Sequence, residues 1–421
     1  MKHKKLFITL TVVLSVLITL GIFLTIWFWG DSYKGGNDYE GFDNFRKEVK
    51  IPGLADGACP QGIANLKAKY TVKDAEGKPV LGEDGKERYA EQQYFFISAY
   101  FKNAPSRIYV TGEETGYVGY VTLRNTDGSI YKGHCGGIAT NGYTLWVVSD
   151  DTVYVARGEK KADDNIAYDL IKAAESNGEI KFTASFAANC NASFCYFYNA
   201  DGDWTNSTYA SDRFYVGEFY RDGNYPTAER HHITTKNGDK NTAFVYEYQI
   251  STSTDYGLIA LDNDINVDKK VPKIQAIYSI TDEIQGFARI DGGLVLSQSY
   301  GLKNSVLYYH SWSKITESAN RVQYKDLKYI NEKGEEKTYG GFEYADVKFN
   351  SGAQYKDTNV YVYYVDGGTL ANKYSIPSMS EGLCVSGKRV YVLFESGAKK
   401  YSTFVRQVLD SVYSFIPRTK R

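Results

Sequence analysis

Apolar and aromatic runs recur along the chain at residues 94–100, 144–149, 213–219, 293–299 and 389–395. Each is too short for an ordinary helix and is rich in Val, Ile, Tyr or Phe, which favour a half-buried pleated surface. A second set follows at residues 107–111, 152–156, 243–249, 305–310 and 411–416. Further strand-like segments stand at residues 128–132, 179–186 and 273–280, with Gly-, Asn- and Asp-containing turns between them. One stretch departs from this pattern. Residues 165–175 carry apolar side chains at helical spacing and predict a short amphipathic helix.

The strands belong to an internal repeat. A small-residue motif opens each unit: Gln61-Gly62-Ile63-Ala64 after Cys59-Pro60, Cys135-Gly136-Gly137-Ile138-Ala139, Ile284-Gln285-Gly286-Phe287-Ala288 and Glu381-Gly382-Leu383-Cys384, with a degenerate copy at Cys190-Asn191-Ala192-Ser193-Phe194. Several short strands opening on a Gly-containing motif are what a propeller blade requires. The fold expected is therefore all-β, a five-bladed β-propeller. Motif spacings of about 75, 55, 94 and 96 residues exceed the roughly 40–50 of a compact blade. They predict long decorating loops, with a sixth, divergent blade as the alternative. Ile51-Pro52 and Ile376-Pro377 introduce the first and last motifs in the same way. The segment around residues 47–54 is thus expected to supply the outer strand of the last blade and close the ring, removing exposed sheet edges.

Residues 6–30 carry no charge and are long enough for a helix to cross a bilayer core of roughly 30 Å. A cleavable signal peptide is the alternative. The length of the run, the Trp27-Phe28-Trp29 sequence at its end and the lack of a small-residue cleavage site argue for an uncleaved anchor. Lys2, Lys4 and Lys5 precede the span and Asp31 follows it, which places residues 1–5 in the cytoplasm and the body, residues 31–421, outside the cell membrane.

Composition changes the picture in two ways. A formal net charge of −1 with dispersed charges excludes an electrostatic footprint for nucleic acid. Five Cys in an exported body predict disulfides and one odd thiol, with Cys135–Cys190 and Cys190–Cys195 competing for Cys190.

The inner strands of a propeller line its channel, so equivalent motif positions form a ring: Gln61, Gly136, Asn191, Gln285 and Glu381. The ends of the second strands supply another, Ser98, Asp150, Glu218, Ser299 and Glu395. Convergent polar groups in a concavity predict ligand binding. Glu218, beside Gly217, and Glu395, beside the Gly-containing turn 396–398, are the candidate acid–base pair, since two close carboxyls split their pKa values. His134, His231 and His232 lack the spacing of a zinc motif, so no metal site is assigned. Residues 262–268 alternate oxygen-bearing side chains as a calcium loop does. Val267 stands where such a loop has Gly and Lys273 where it has Glu, so the segment reads as a solvated turn, with a structural calcium ion as the alternative. No other cofactor is implied.

Gln285-Gly286-Phe287-Ala288, followed by Ser297-Gln298-Ser299-Tyr300-Gly301 and Ser305-Val306-Leu307, resembles blades of the plant-type glutaminyl cyclases, which are five-bladed propellers. Six-bladed lactonase-like propellers have similar blade starts. Where the cyclase resemblance implies a Glu, this chain has Gln298. The sequence thus predicts an anchored propeller binding a small molecule, glycan or peptide at its channel face. The alternatives are an extracytoplasmic hydrolase, lyase or cyclase and a structural platform for partner proteins.

Overall fold

A computed structural model describes residues 14–19, 21, 39, 41–158, 166–200, 210–261, 267–330, 333–345 and 347–420. Most of the expected membrane span lies outside these residues. Residues 14–19 are helical and exposed, and among the described residues no helix is long and apolar enough to cross a membrane.

β1 (Arg46–Lys50) precedes the first motif. Blade 1 comprises β2 (Cys59–Thr71), β3 (Tyr89–Tyr100), β4 (Arg107–Gly112) and β5 (Gly116–Arg124), each antiparallel to the next. Blade 2 begins with β6 (Gly137–Thr140) and β7 (Thr144–Arg157). The two runs expected as separate strands are the two halves of β7. The first half pairs with β6 and the second with β9, and the exchange occurs around Asp150, whose φ is 55°. The helix α1 (Ile166–Glu175) follows, as the apolar spacing predicted, and then β8 (Glu179–Lys181). Ile166, Ala167, Leu170, Ile171 and Ala174 form its buried stripe. α1 packs on β5, and β8 extends blade 1 in parallel with β5.

β9 (Ala184–Tyr198) serves two blades. Its first residues pair with β7 and its last with β10 (Arg213–Glu218), with left-handed Asn189 (φ 62°) between the two parts. This shared strand accounts for the short second interval and for the degenerate third motif. A small hairpin, β11 (Ile233–Thr234) and β12 (Lys240–Asn241), leads to β13 (Ala243–Gln249) and β14 (Ile274–Ile280), which complete blade 3. Blade 4 takes β15 (Ile284–Ile290), β16 (Gly293–Gln298) and β17 (Ser305–Ser311). The chain then returns to blade 3. β18 (Arg321–Gln323), a hairpin of β19 (Lys328–Ile330) and β20 (Glu336–Thr338), and β21 (Tyr361–Tyr364) make up this excursion, with β21 parallel to β14. The long fourth interval is therefore no loose loop: Tyr324, Phe342, Tyr344 and Val347 from it are buried against Phe244, Tyr246 and Tyr248. β22 (Leu370–Ile376) completes blade 4.

Blade 5 is β23 (Ser380–Ser386), β24 (Arg389–Phe394), β25 (Ser411–Phe415) and β1, with Arg46 opposite Ser414. The N-terminal strand thus closes the ring. The inner strands make the circuit explicit. β2 packs against β6 and β23, β9 against β6 and β15, and β15 against β23. Five blades close the circle, and the six-bladed alternative is not realised.

The repeated Gly follows from this convergence. A Cβ on Gly62 would lie 2.6 Å from the Ile138 nitrogen and 2.8 Å from the Gly137 Cα. Gly62→Val is expected to cost about 2 kcal/mol through overpacking at the ring centre. An unchanged urea unfolding midpoint would show that the inner strands are not so closely packed. Between blades, residues of one strand face two neighbours in turn. Phe95 and Ile97 of β3 pack with Tyr391 and Leu393 of blade 5, whereas Phe96 packs with Leu145 and Val147 of blade 2. Burial on both faces is why these strands read as continuous apolar runs rather than alternating ones.

All five cysteines are free. This corrects the expected disulfides. Cys190 and Cys195 lie five residues apart along the extended β9, a separation of about 16 Å at strand rise, whereas a bridge needs Cα atoms within about 7 Å. Cys195, rather than Cys190, is the blade-3 thiol whose electrostatics Cys135 influences.

Candidate functional site

The polar residue before each crowded Gly points the way into the channel mouth. A Cβ on Gly382 would meet Gly62, and one on Gly286 would meet Glu381, so these motif copies share one level of the ring. Gln61, Gln285 and Glu381, which precede those glycines, line a cavity of about 460 Å³. Asn191, Asp150, Ser299 and Glu395 line it as well. Every blade contributes.

Glu381 and Glu395 meet at the floor. Their carboxyl groups are hydrogen-bonded to each other, which requires a proton between them. Glu381 is 3 % exposed. Burial and the neighbouring Glu395 hold its carboxyl well above the usual carboxylate range. Burial raises Glu395 to about 7, against the opposing effects of the Glu381 hydrogen bond, the Lys400 charge and the Gln61 amide. Gln61 Nε2 donates to Glu395 Oε2 at 3.1 Å. The pair titrates as a unit, one proton leaving near neutrality and the other held to higher pH.

Aromatic walls rise on two sides. On one, Tyr100 stacks on His134 with ring centroids 4.4 Å apart. Lys400 Nζ donates to Tyr100 Oη at 3.1 Å, with the Tyr401 ring 4.6 Å away. Burial lowers the His134 pKa, while Asp150 opposes the shift. On the other side, Phe219 stacks with Tyr300 at 6.2 Å and meets Tyr225 edge-on at 5.4 Å. The Arg221 guanidinium lies 3.5 Å from the Tyr300 ring centroid and pairs with Glu283 at 3.3 Å. Among the described residues, no protein group hydrogen-bonds the Gln285 amide, which leaves it available to a ligand. Met379, another lining residue, enters β23 in left-handed backbone at φ 64°. Conformational strain of this kind concentrates at functional sites.

Three predicted ring residues stand elsewhere. Glu218 is buried and accepts hydrogen bonds from His231 Nδ1 at 2.5 Å and from the Phe244 N–H at 2.9 Å. The pairing of Glu218 with Glu395 is therefore wrong, and the partner of Glu395 is Glu381. The extra residue of this ladder, Ser193, is on β9, as equivalent extra residues are on β2, β15 and β23 in the other blades. Ser98 is fully buried, accepting from the Gly62 N–H at 3.0 Å and donating to the Cys135 carbonyl at 2.9 Å, so it ties blade 1 to blade 2. Gly136 is not among the lining residues. Gln298, where the cyclase resemblance implies Glu, donates to Asp282 and accepts from Tyr308 Oη at 2.9 Å, away from the pocket.

Sequence reasoning missed the walls. Tyr100 and Tyr300 each follow a ring position by one or two residues, and His134 precedes the second motif, so strand-end aromatics were a usable signal. Lys400 and Tyr401 lie in a loop with no repeat counterpart. Residues 262–266 of the calcium-like segment lie outside the described residues. The Asp268 carboxylate accepts the Lys348 N–H at 2.9 Å. No group of three His, Cys, Asp or Glu suited to a metal ion occurs among the described residues.

No family model matches the chain, and no curated protein matches it. Among solved structures it is similar to the GH43_1 enzyme from Xanthomonas citri, at 12 % identity over 86 % of this chain and 92 % of that one, with a TM-score of 0.33. The same enzyme complexed with xylose gives 12 % identity over 88 % and 90 %, with a TM-score of 0.34. RS223-β-xylosidase gives 8 % identity over 89 % and 95 %, with a TM-score of 0.36. None of these three is described as a cyclase or lactonase. Likenesses this distant leave the blade count and the site to be read from the chain's own strand pairing and side chains.

Proposed function

We propose that the chain is a membrane-anchored, extracytoplasmic propeller whose channel mouth binds a small polyhydroxylated molecule of the sugar class. The observation that carries this reading is the cavity of about 460 Å³, floored by amides and carboxyls and walled by aromatic rings. Hydroxyl groups would meet Gln61, Asn191, Gln285 and Ser299, and the apolar face of a sugar ring would lie against Tyr100 or Tyr300. A cavity of this size does not fit a platform with its channel plugged by side chains. The anchor is supported by the uncharged residues 6–30 and by Lys2, Lys4 and Lys5 before them.

A second reading, an extracytoplasmic hydrolase or lyase, is favoured by the shared proton of Glu381 and Glu395. Hydrogen-bonded carboxyls stand closer than the about 5–9 Å of a glycosidase pair. The chemistry would be proton donation and withdrawal at one point of the ligand. Calorimetric titration with a panel of mono- and oligosaccharides tests the binding reading. At least one sugar should bind, and Gln285→Ala should weaken it about tenfold through a lost hydrogen bond. A panel without a binder, or binding untouched by Gln285→Ala, would sink it.

A further inference from the structure

The geometry points to an ammonium subsite in this pocket, at which the amino group of a small amino sugar takes the place of the Lys400 side chain. The inference rests on the reading of the pocket as a sugar site. Lys400 Nζ lies 4.6 Å from the Tyr401 ring centroid and 5.7 Å from that of Tyr100, and it donates to Tyr100 Oη at 3.1 Å. The Glu395 charge acts on it from the floor. An aromatic ring beside the cation, a phenol hydroxyl at its tip and a carboxyl acting from further off together suit an ammonium group. Here the protein fills it with its own.

The occupant is held by its tip. Lys400 is an exposed residue of the turn after Ala398, and its four-carbon stem is flexible and strongly hydrated at the head. It can return to water without disturbing the fold. Exchange rather than addition follows because the position beside the Tyr401 ring and the Tyr100 hydroxyl holds one ammonium group at a time. Of the other groups nearby, His134 is kept neutral by burial, the Cys59 thiol beside Tyr100 is held protonated by burial, and Asp150 is a further acidic side chain of the same cavity. A neutral sugar would leave Lys400 in place, whereas an amino sugar would release it.

Titration calorimetry at neutral pH with D-glucosamine, D-glucose and N-acetyl-D-glucosamine distinguishes the cases. Glucosamine should bind the wild type about tenfold more tightly than either neutral sugar. Lys400→Met should tighten glucosamine severalfold, because a tethered competitor is gone, and leave glucose unchanged. Glu395→Gln should bring glucosamine down to the affinity of glucose. Equal affinity of all three sugars for the wild type overturns the subsite and leaves the sugar reading standing. Weaker glucosamine binding by Lys400→Met also overturns it, since Lys400 would then hold the ligand rather than yield to it. If none of the three binds while another neutral sugar does, the subsite alone falls. If no sugar binds at all, both readings fall.

Discussion

Glu218→Ala is expected to lower folding stability by about 3–5 kcal/mol, the cost of breaking a buried hydrogen-bonded pair from one side. Glu218 and His231 are both nearly inaccessible, and the same carboxylate oxygen also caps the Phe244 N–H. Removing the carboxylate leaves two buried donors without an acceptor. His231 is packed flat on Phe244 at 4.3 Å and cannot swing out to water without opening the contact. Glu218→Gln retains an acceptor and should cost about 1–2 kcal/mol. Urea unfolding measures both. Ligand affinity of the folded fraction should be unchanged in either variant. A Glu218→Ala protein of normal stability that no longer binds ligand would restore Glu218 to the site and contradict the placement described above.

The second large effect is a pH dependence of stability removed by Glu395→Gln. In the unfolded chain a glutamate ionises near its ordinary value of 4.5, and in the fold Glu395 does so at about 7. Between those values the folded state holds more protons at Glu395 than the unfolded one, so the Glu395 contribution to stability falls as pH rises through the window and is constant above it, while Glu381, held higher still, continues the decline. The shift corresponds to a decline on the order of 3 kcal/mol. Glu395→Gln removes the ionisation and lets the remaining Glu381 titrate without a neighbouring carboxyl. The variant should therefore match the wild type near pH 5 and exceed it by about 2 kcal/mol near pH 8. Chemical denaturation at the two pH values is sufficient. Parallel pH profiles for the two proteins would mean that Glu395 is not raised and that no proton is shared with Glu381.

Much of this architecture is legible in the residues. The period of the Gly motif gave five units, and its Gly residues stand where inner strands approach too closely for a Cβ. The Ile-Pro pair before the first and last motifs indicated ring closure, and β1 does pair with β25. Apolar spacing found α1. These features are written locally, because a turn, a crowded contact or an amphipathic stripe constrains nearby residue types directly. Ring symmetry then brings equivalent positions together, which is how Gln61, Gln285 and Glu381 could be named before their distances were known.

Tertiary structure decided the rest. Glu218 stands at a strand end as Glu395 does, yet its carboxylate turns to His231 and the Phe244 N–H instead of the channel, and which face a strand-end side chain takes leaves no mark in composition. Glu381 and Glu395 were assigned to different rings, yet the hydrogen bond between them joins the two into one proton-holding unit. The aromatic walls and Lys400 come from strand ends and a loop outside the repeat, and only the packing of blades brings them to one cavity. The thiols remained free because an extended strand separates Cys190 from Cys195. The amino-acid sequence by itself determined the repeat, the closure and the ring of polar positions, since each follows from short-range sterics and burial. The partner of each carboxyl was settled by register and blade packing, which depend on contacts between residues far apart in the chain.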